Sequence, residues 1–421
     1  MKSLFFLFIS NIIAYSAFCQ DCNTRAAIKP SVFERTQDNY NTAVSDVKKP
    51  AGWDISKMKV NLGKAESWIK NRLTGFTGAK LSYNNEYFLD HVSAGGFTTM
   101  FYDATGIKGF CYGKMRFYAY YCYENNDKIF TEGESGSYIK VVFNNVFASE
   151  LCSDAGVFKI NGKLVFKIFE KIRTEGKVDY YELRAKSNVN DTIYTSKQDF
   201  ILIRNGDKPV FIPITRLEYL EQLLKDIEKY ESEQKDFLIT NYKRQIKSFE
   251  EEIKSYKAND KSYTPEKEAK RRKYFNDDVN EEKLDKDIKK IENNVKASKE
   301  VINQYLKKSI EWLNSGFRAF YPYSSYTSKG LIEYFDRLDT FNESKEDLSR
   351  TQIVCINPAY YNKSLSVDMP QLIIVQLQKG SYPHMLKVNQ LVKQPLVLAP
   401  LEAILDPGKN VTPVVAGKQT K

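Results

Sequence analysis

The segment that most limits how this chain can fold begins at Thr215. Thr215-Arg216-Leu217-Glu218 has the form of a capping box, in which the Thr hydroxyl accepts from the backbone N–H of Glu218 and the Glu carboxylate reaches back. Ile214 and Tyr219 stand where a hydrophobic staple would sit. Leu217, Leu220, Leu224 and Ile227 then recur at 3,4,3 spacing. After a phase slip the stripe resumes at Ile239, Tyr242, Ile246, Phe249, Ile253 and Tyr256, which predicts one helix to about Lys257. Asn259-Asp260 breaks it, and Thr264-Pro265 restarts a helix with proline at its tolerated first position. A second stripe runs through Leu284, Ile288, Ile291, Val295, Ile302, Leu306, Ile310 and Leu313. Two striped helices with charged outer faces predict an antiparallel coiled-coil hairpin over 215–314, with a first arm of about 60 Å. Such an arm divides the chain, which leaves room for a discontinuous lobe built from the residues on either side.

Before Thr215 the patterns are those of strands. Residues 59–214 read as a β-rich α+β lobe, opened by an amphipathic helix over Asn61 to Leu73 with Leu62, Ala65, Trp68, Ile69 and Leu73 at helical spacing. Strand candidates include 97–102, the aromatic stretch Met115 to Tyr123, and Tyr138 to Phe147. Asn161-Gly162 between two apolar runs is a type I′ hairpin signal. Residues 315–405 form a C-terminal α+β segment whose strand at Leu372 to Leu377 is expected to return to the lobe, and 406–421 read as a disordered tail. The fold class expected is α+β.

The N-terminus sets a compartment. Lys2 precedes an apolar run from Leu4 to Ala17, and Ala17-Phe18-Cys19 offers small residues where a signal peptidase reads. Residues 1–19 are therefore expected to be a signal peptide, with cleavage after Cys19 or after Ser16, and 20–58 an irregular leader segment. The expected location is the periplasm, the cell surface or the exterior. No later segment is apolar and long enough to span a bilayer, so no transmembrane segment is expected in the mature chain. Of the chain's six cysteines, Cys22, Cys111, Cys122, Cys152 and Cys355 survive either cleavage. In an oxidising compartment so few act as staples, with connectivity open. The formal charge of +10 would suit nucleic acid or an anionic surface, but export removes nucleic acid.

Pro209-Val210-Phe211-Ile212-Pro213-Ile214-Thr215-Arg216-Leu217-Glu218-Tyr219-Leu220 is a strand running into a capped helix, and Asn357-Pro358-Ala359-Tyr360-Tyr361 precedes the strand near 371–377. This pairing resembles uncharacterised secreted proteins of Bacteroidota-type bacteria over about residues 157–405. The resemblance implies export and a shared architecture. It implies no activity and carries over no site residues.

Catalytic constellations are thin. With only His91 and His384 a histidine-rich metal site is excluded, and no close cysteine pair suggests zinc. Neither a metal nor a cofactor is expected. Asp90-His91 with Ser93 lacks a nucleophile elbow, and Cys355 with His384 reads better as a disulfide or buried cysteine. Glu132 and Glu134 share a strand face, where a solvated edge is the simpler reading than a glycosidase pair. Two binding features stand out. Tyr118, Tyr120, Tyr121 and Tyr123 form an aromatic run whose outward rings are suited to sugars or a protein. Lys270, Arg271, Arg272 and Lys273 form a basic cluster near the start of the second helix, where anionic lipid or acidic glycan competes with a solvated face. The expected function is an exported non-enzymatic binding or scaffold protein, with the hairpin as interaction arm for an envelope protein or glycan, or for self-association. The alternative is a secreted hydrolase acting on envelope glycan or peptide.

Overall fold

The computed structural model describes residues 21–41, 55–88, 105, 107, 109–122, 128–133, 137–153, 159–182, 188–189, 192–193, 198–316, 318–320, 350–365, 369–378, 388, 392–393 and 397–406. The protein is mixed α+β, built around a large sheet. The chain divides into two compact units, residues 1–212 with 345–421, and residues 213–344. The signal-peptide segment, Tyr123, Glu134, His91, His384, the strand candidate at 97–102 and the tail from Pro407 lie outside the described residues.

In the first unit, α1 (Cys22–Ile28), β1 (Phe33–Arg35) and β2 (Asn39–Asn41) occupy the stretch expected to be irregular. Helix α2 runs over Ile55–Arg72, starting six residues earlier than the stripe predicted because Met58 also faces the core. The strands that follow are β3 (Ala79–Phe88), β4 (Phe110–Cys122), β5 (Ile129–Thr131), β6 (Ser137–Phe143), β7 (Cys152–Ser153), β8 (Lys159–Ile160), β9 (Lys163–Ile168), β10 (Glu170–Glu175), β11 (Val178–Glu182), the short pair β12 (Asn188–Val189) and β13 (Thr192–Ile193), β14 (Gln198–Arg204) and β15 (Phe211–Pro213). Asn161 and Gly162 join β8 to β9 with φ of 49° and 75°, the two positive values a type I′ turn requires.

The second unit holds α3 (Arg216–Asn259), α4 (Pro265–Asp278), α5 (Glu281–Tyr305), the short α6 (Ile310–Asn314) and β16 (Arg318–Phe320). The chain closes with β17 (Arg350–Ile356), β18 (Leu372–Gln378) and α7 (Ala399–Leu405).

The large sheet is ordered β1-β3-β4-β6-β18-β14-β11-β10, so β18, from the far end of the chain, lies between β6 and β14. Because strand side chains alternate between faces, each strand contributes to two environments. One face carries Tyr83, Met115, Phe117, Ile139, Val141, Ile201 and Val375 and packs under α2 and α7. Trp68 of α2 ties the helical layer together by donating its indole N–H to the Val397 carbonyl at 2.6 Å. On the other face, Val142, Phe200, Leu202, Leu372 and Ile374 pack on a smaller sheet ordered β15-β17-β9-β7 through Phe166, Phe211 and Val354. This second core covers one end of the strands; toward the other end the same face turns polar. A disulfide between Cys22 and Cys122, with Cα atoms 5.8 Å apart, fastens α1 to the end of β4. Cys111, Cys152 and Cys355 are buried.

In the second unit the capping box at Thr215 is complete: the hydroxyl accepts from the Glu218 N–H at 3.1 Å, and the Glu218 carboxylate accepts from the Thr215 N–H at 3.0 Å. Helix α3 has 44 residues, about 66 Å at the α-helical rise. The stretch expected to be one returning helix is three, broken at Val279–Asn280, where Asn280 caps Lys283, and again before Ser309, which caps Trp312. Ion pairs link Glu228 to Lys299, Lys235 to Glu292, Glu252 to Arg271 and Lys257 to Glu268. As the α3 partner advances, the other recedes along the chain.

Candidate functional site

The polar end of the large sheet is built by alternation. On β4, Cys111, Gly113, Met115, Phe117 and Ala119 point into the helical core, so Tyr112, Lys114, Arg116, Tyr118 and Tyr120 share the opposite face. Register then fixes their neighbours. Lys114 lies directly opposite Lys140 of β6, and Arg116 opposite Tyr138. On the far side Glu86, Asn84 and Lys80 of β3 face Tyr112, Lys114 and Tyr118. Gln376 of β18 stands beside Lys140. Gly113 is required here: a Cβ would collide with the hydroxyl of Tyr83, which is fully buried beneath β4.

The cations and tyrosines interlock diagonally. The Lys114 ammonium sits 4.0 Å from the centre of the Tyr138 ring, and the Lys140 ammonium 4.4 Å from that of Tyr112. Lys140 is only 7 % exposed, and its ammonium donates to the Ala148 carbonyl. Burial, reinforced by Lys114 and resisted by Glu150 and Glu86, pulls its pKa down to about 8. Burial and the neighbouring Arg116 guanidinium lower Lys114 as well.

The two carboxylates are held by neutral donors. Tyr138 donates to both oxygens of Glu150 at 3.2 Å, and the Gln376 amide donates to Tyr138 at 2.9 Å and to Glu150 at 3.0 Å. Glu86 accepts from the Asn84 amide at 3.2 Å and is hydrogen-bonded to Tyr112. Burial and these carboxylates push the Tyr112 and Tyr138 hydroxyls well above the ordinary tyrosine range, so both stay protonated donors. Chemically, the arrangement presents the exposed Arg116 guanidinium, the half-buried Lys114 ammonium and the half-covered Tyr118 and Tyr120 rings, above the buried Lys140, Tyr138 and Gln376.

Two residues of the aromatic run, Tyr118 and Tyr120, fall on this face and are half-buried. The Lys29 ammonium covers the Tyr120 ring at 4.4 Å. Tyr121 points the other way, is 37 % exposed and packs beside Phe130. The sequence reading missed Tyr112, Lys114, Arg116, Tyr138, Lys140, Glu150 and Gln376. The available signal was the i, i+2 alternation of β4 upstream of the dense aromatic stretch.

The basic cluster is divided. Arg271 pairs with Glu252 at 2.5 Å and lies over the Tyr256 ring, while Arg272 pairs with Glu250 at 2.5 Å and Glu268 at 3.0 Å. These pairs hold Arg272 above and Glu250 below their ordinary pKa ranges, and Lys257 together with Arg272 holds Glu268 below its own. Phe249 and Phe275 stack beside them at 4.0 Å. Lys270 and Lys273 stay exposed, Lys270 at 5.9 Å from the Tyr274 ring. Two of the four charges are thus engaged within the helical unit, and the structure does not bring the cluster together with the tyrosines in one unit.

The other sequence candidates separate. Cys355 is buried in β17, and burial drives the pKa of the thiols of Cys111 and Cys152 upward, away from nucleophilic use. Glu132 follows β5, with its backbone N–H on Ala119. Among the described residues no three of His, Cys, Asp and Glu are grouped as metal ligands, and no helix is long and apolar enough to cross a membrane.

Compared with family models, with curated proteins and with solved structures, the chain matches none of them.

Proposed function

We propose that this is an exported, non-enzymatic binding or scaffold protein of the bacterial envelope. Its lobe takes a ligand on the polar face of the large sheet, and the helices of 216–314 act as an antiparallel coiled-coil interaction arm. The observation that carries the reading is the single face of β4 bearing Tyr112, Lys114, Arg116, Tyr118 and Tyr120, extended by Lys140 and Tyr138 of β6. Groups of this kind on hydrogen-bonded strands are held in place before a ligand arrives, which limits the ordering cost of binding. The receding ion-pair partners along α3 support the arm. The Cys22–Cys122 disulfide supports export, since such bonds persist in oxidising compartments. The hydrolase reading gains nothing from the carboxylates here, because Glu86 and Glu150 are tied to neutral donors on strands and a turn and do not converge across a cleft.

The test is capture from the native envelope with three tagged forms: the intact protein, one with residues 216–313 replaced by a short linker, and the face variant Arg116→Ala/Tyr118→Ala. The reading expects an envelope component retained by the intact form, with a glycan lost in the face variant or a protein lost in the arm deletion. Identical background from all three overturns it. Turnover of envelope glycan or peptide by the purified intact protein overturns its non-enzymatic half.

A further inference from the structure

Resting on the reading of the sheet face as a ligand surface, we infer that its ligand is an acidic glycan, whose carboxylate or sulfate groups pair with Lys114 and Arg116 above the buried Lys140 while a sugar ring lies on Tyr118. Three observations carry this.

First, Lys114 and Lys140 are directly opposite across β4 and β6. Like charges in that position repel at a Cβ separation of about 5 Å, and one of the two is almost wholly buried. Neither lysine nor Arg116 has a carboxylate ion-pair partner among the described residues. The ammonium groups meet only rings and a carbonyl. An anion held by Lys114 and Arg116 would offset the repulsion between the opposed lysines.

Second, the carboxylates nearby are hydrogen-bonded by Tyr138, Gln376, Asn84 and Tyr112 and form no ion pair with the cations, which they attract only from a distance. The half-exposed Tyr118 ring suits the apolar face of a pyranose.

Third, the chain's positive charge is not on the arm. Residues 216–314 hold 23 Lys and Arg against 22 Asp and Glu, so nearly all of the +10 lies outside them. An electrostatically drawn ligand would therefore be steered to the rest of the chain, where this face offers cations without an ion-pair partner among the described residues. A lipid surface fits less well, since the face presents no apolar patch to insert.

The full-length protein should be titrated calorimetrically with tetragalacturonate, a sulfated chondroitin tetrasaccharide and neutral maltotetraose at low and moderate salt. Binding of the carboxylated or the sulfated oligosaccharide is expected, weakening with salt and at least about tenfold tighter than the neutral one, as one charge-assisted contact would give. Lys114→Gln/Arg116→Gln should lose about tenfold or more. Arg116→Gln/Tyr118→Ala, confined to outward groups, should also weaken binding and keeps the test valid if the lysine variant unfolds. Equal affinity for neutral and acidic sugars would overturn the acidic class while leaving the ligand-surface reading intact. Unchanged acidic binding in both variants would place the site elsewhere and overturn the inference. Failure of all three sugars to bind, or binding only to anionic vesicles or duplex DNA included as controls, would also overturn it.

Discussion

Replacing Lys140 by methionine tests the physical core of the site. Inside the fold its ammonium has Ala148 as hydrogen-bond acceptor and faces the Tyr112 ring, Lys114 on β4, Glu86 on β3 and Glu150 on the turn after β6. The gap between about 8 in the fold and the ordinary 10.5 corresponds to about 3 kcal/mol of unfavourable charge burial at neutral pH. The sign follows from proton counting. The unfolded chain keeps this proton up to about pH 10.5, whereas the fold releases it near 8. Between those values the unfolded state binds more protons, so the Lys140 contribution makes stability climb with pH. From pH 7 to 9.5 that contribution amounts to about 2 kcal/mol. Lys140→Met lacks it. Urea unfolding at both pH values should therefore find wild type less stable than the variant at pH 7, with the difference closing by about 2 kcal/mol at pH 9.5. The buried thiols and tyrosines keep their protons longer in the fold than unfolded and pull stability down as the solution becomes alkaline, but both proteins share them, so only the difference is read. Parallel stability curves would refute the argument, because they would mean that Lys140 titrates alike in the folded and unfolded chain. A variant markedly less stable at pH 7 would show that the ring and carbonyl contacts outweigh the burial penalty.

Four further outcomes are expected. Reducing Cys22–Cys122, or Cys22→Ser/Cys122→Ser, should cost about 4 kcal/mol, since the bond closes a loop of 100 residues; denaturant midpoints with and without reductant measure it. Gly113→Ala should cost about 1–3 kcal/mol in a thermal melt, because Tyr83 is fully enclosed and cannot swing away from the added methyl. Thr215→Ala should cost the helical unit about 1 kcal/mol, read as an earlier loss of the 222 nm ellipticity, while Arg271→Gln on the exposed pair with Glu252 should leave that melt unchanged.

Local chemistry was legible in the sequence, and long-range assembly was not. The capping box at Thr215 and the turn at Asn161–Gly162 involve residues within a few positions of one another, so residue types alone imply them. The returning helical stretch shows where local reading falters. The helix restarted at Thr264 reads straight into the stripe that begins at Leu284, but Asn280 caps the following helix with its own side chain and separates the two. The α2 stripe was cut short in the opposite way, because Ser56, Lys57 and Lys59 hid the turn that carries Met58 to the core.

The sheet face lies at the limit of what a sequence can declare. Half of it, Tyr112 to Tyr120, sits on one strand and could be read by counting alternate residues. The rest depends on pairings that span most of the chain: Gln376 meets Tyr138 across 238 positions, and Glu150 across 226. Strand register decides these contacts, and a one-residue slip of β6 would put Lys140 and Tyr138 into the helical core and Ile139 and Val141 on the polar face. The apolar alternation of β6 therefore enforces the Lys114–Lys140 juxtaposition. Stability alone does not favour two opposed lysines at this place. The apolar register holds them there whether or not a ligand is present, and under the proposed reading this persistence would let the face bind an anion without rearranging.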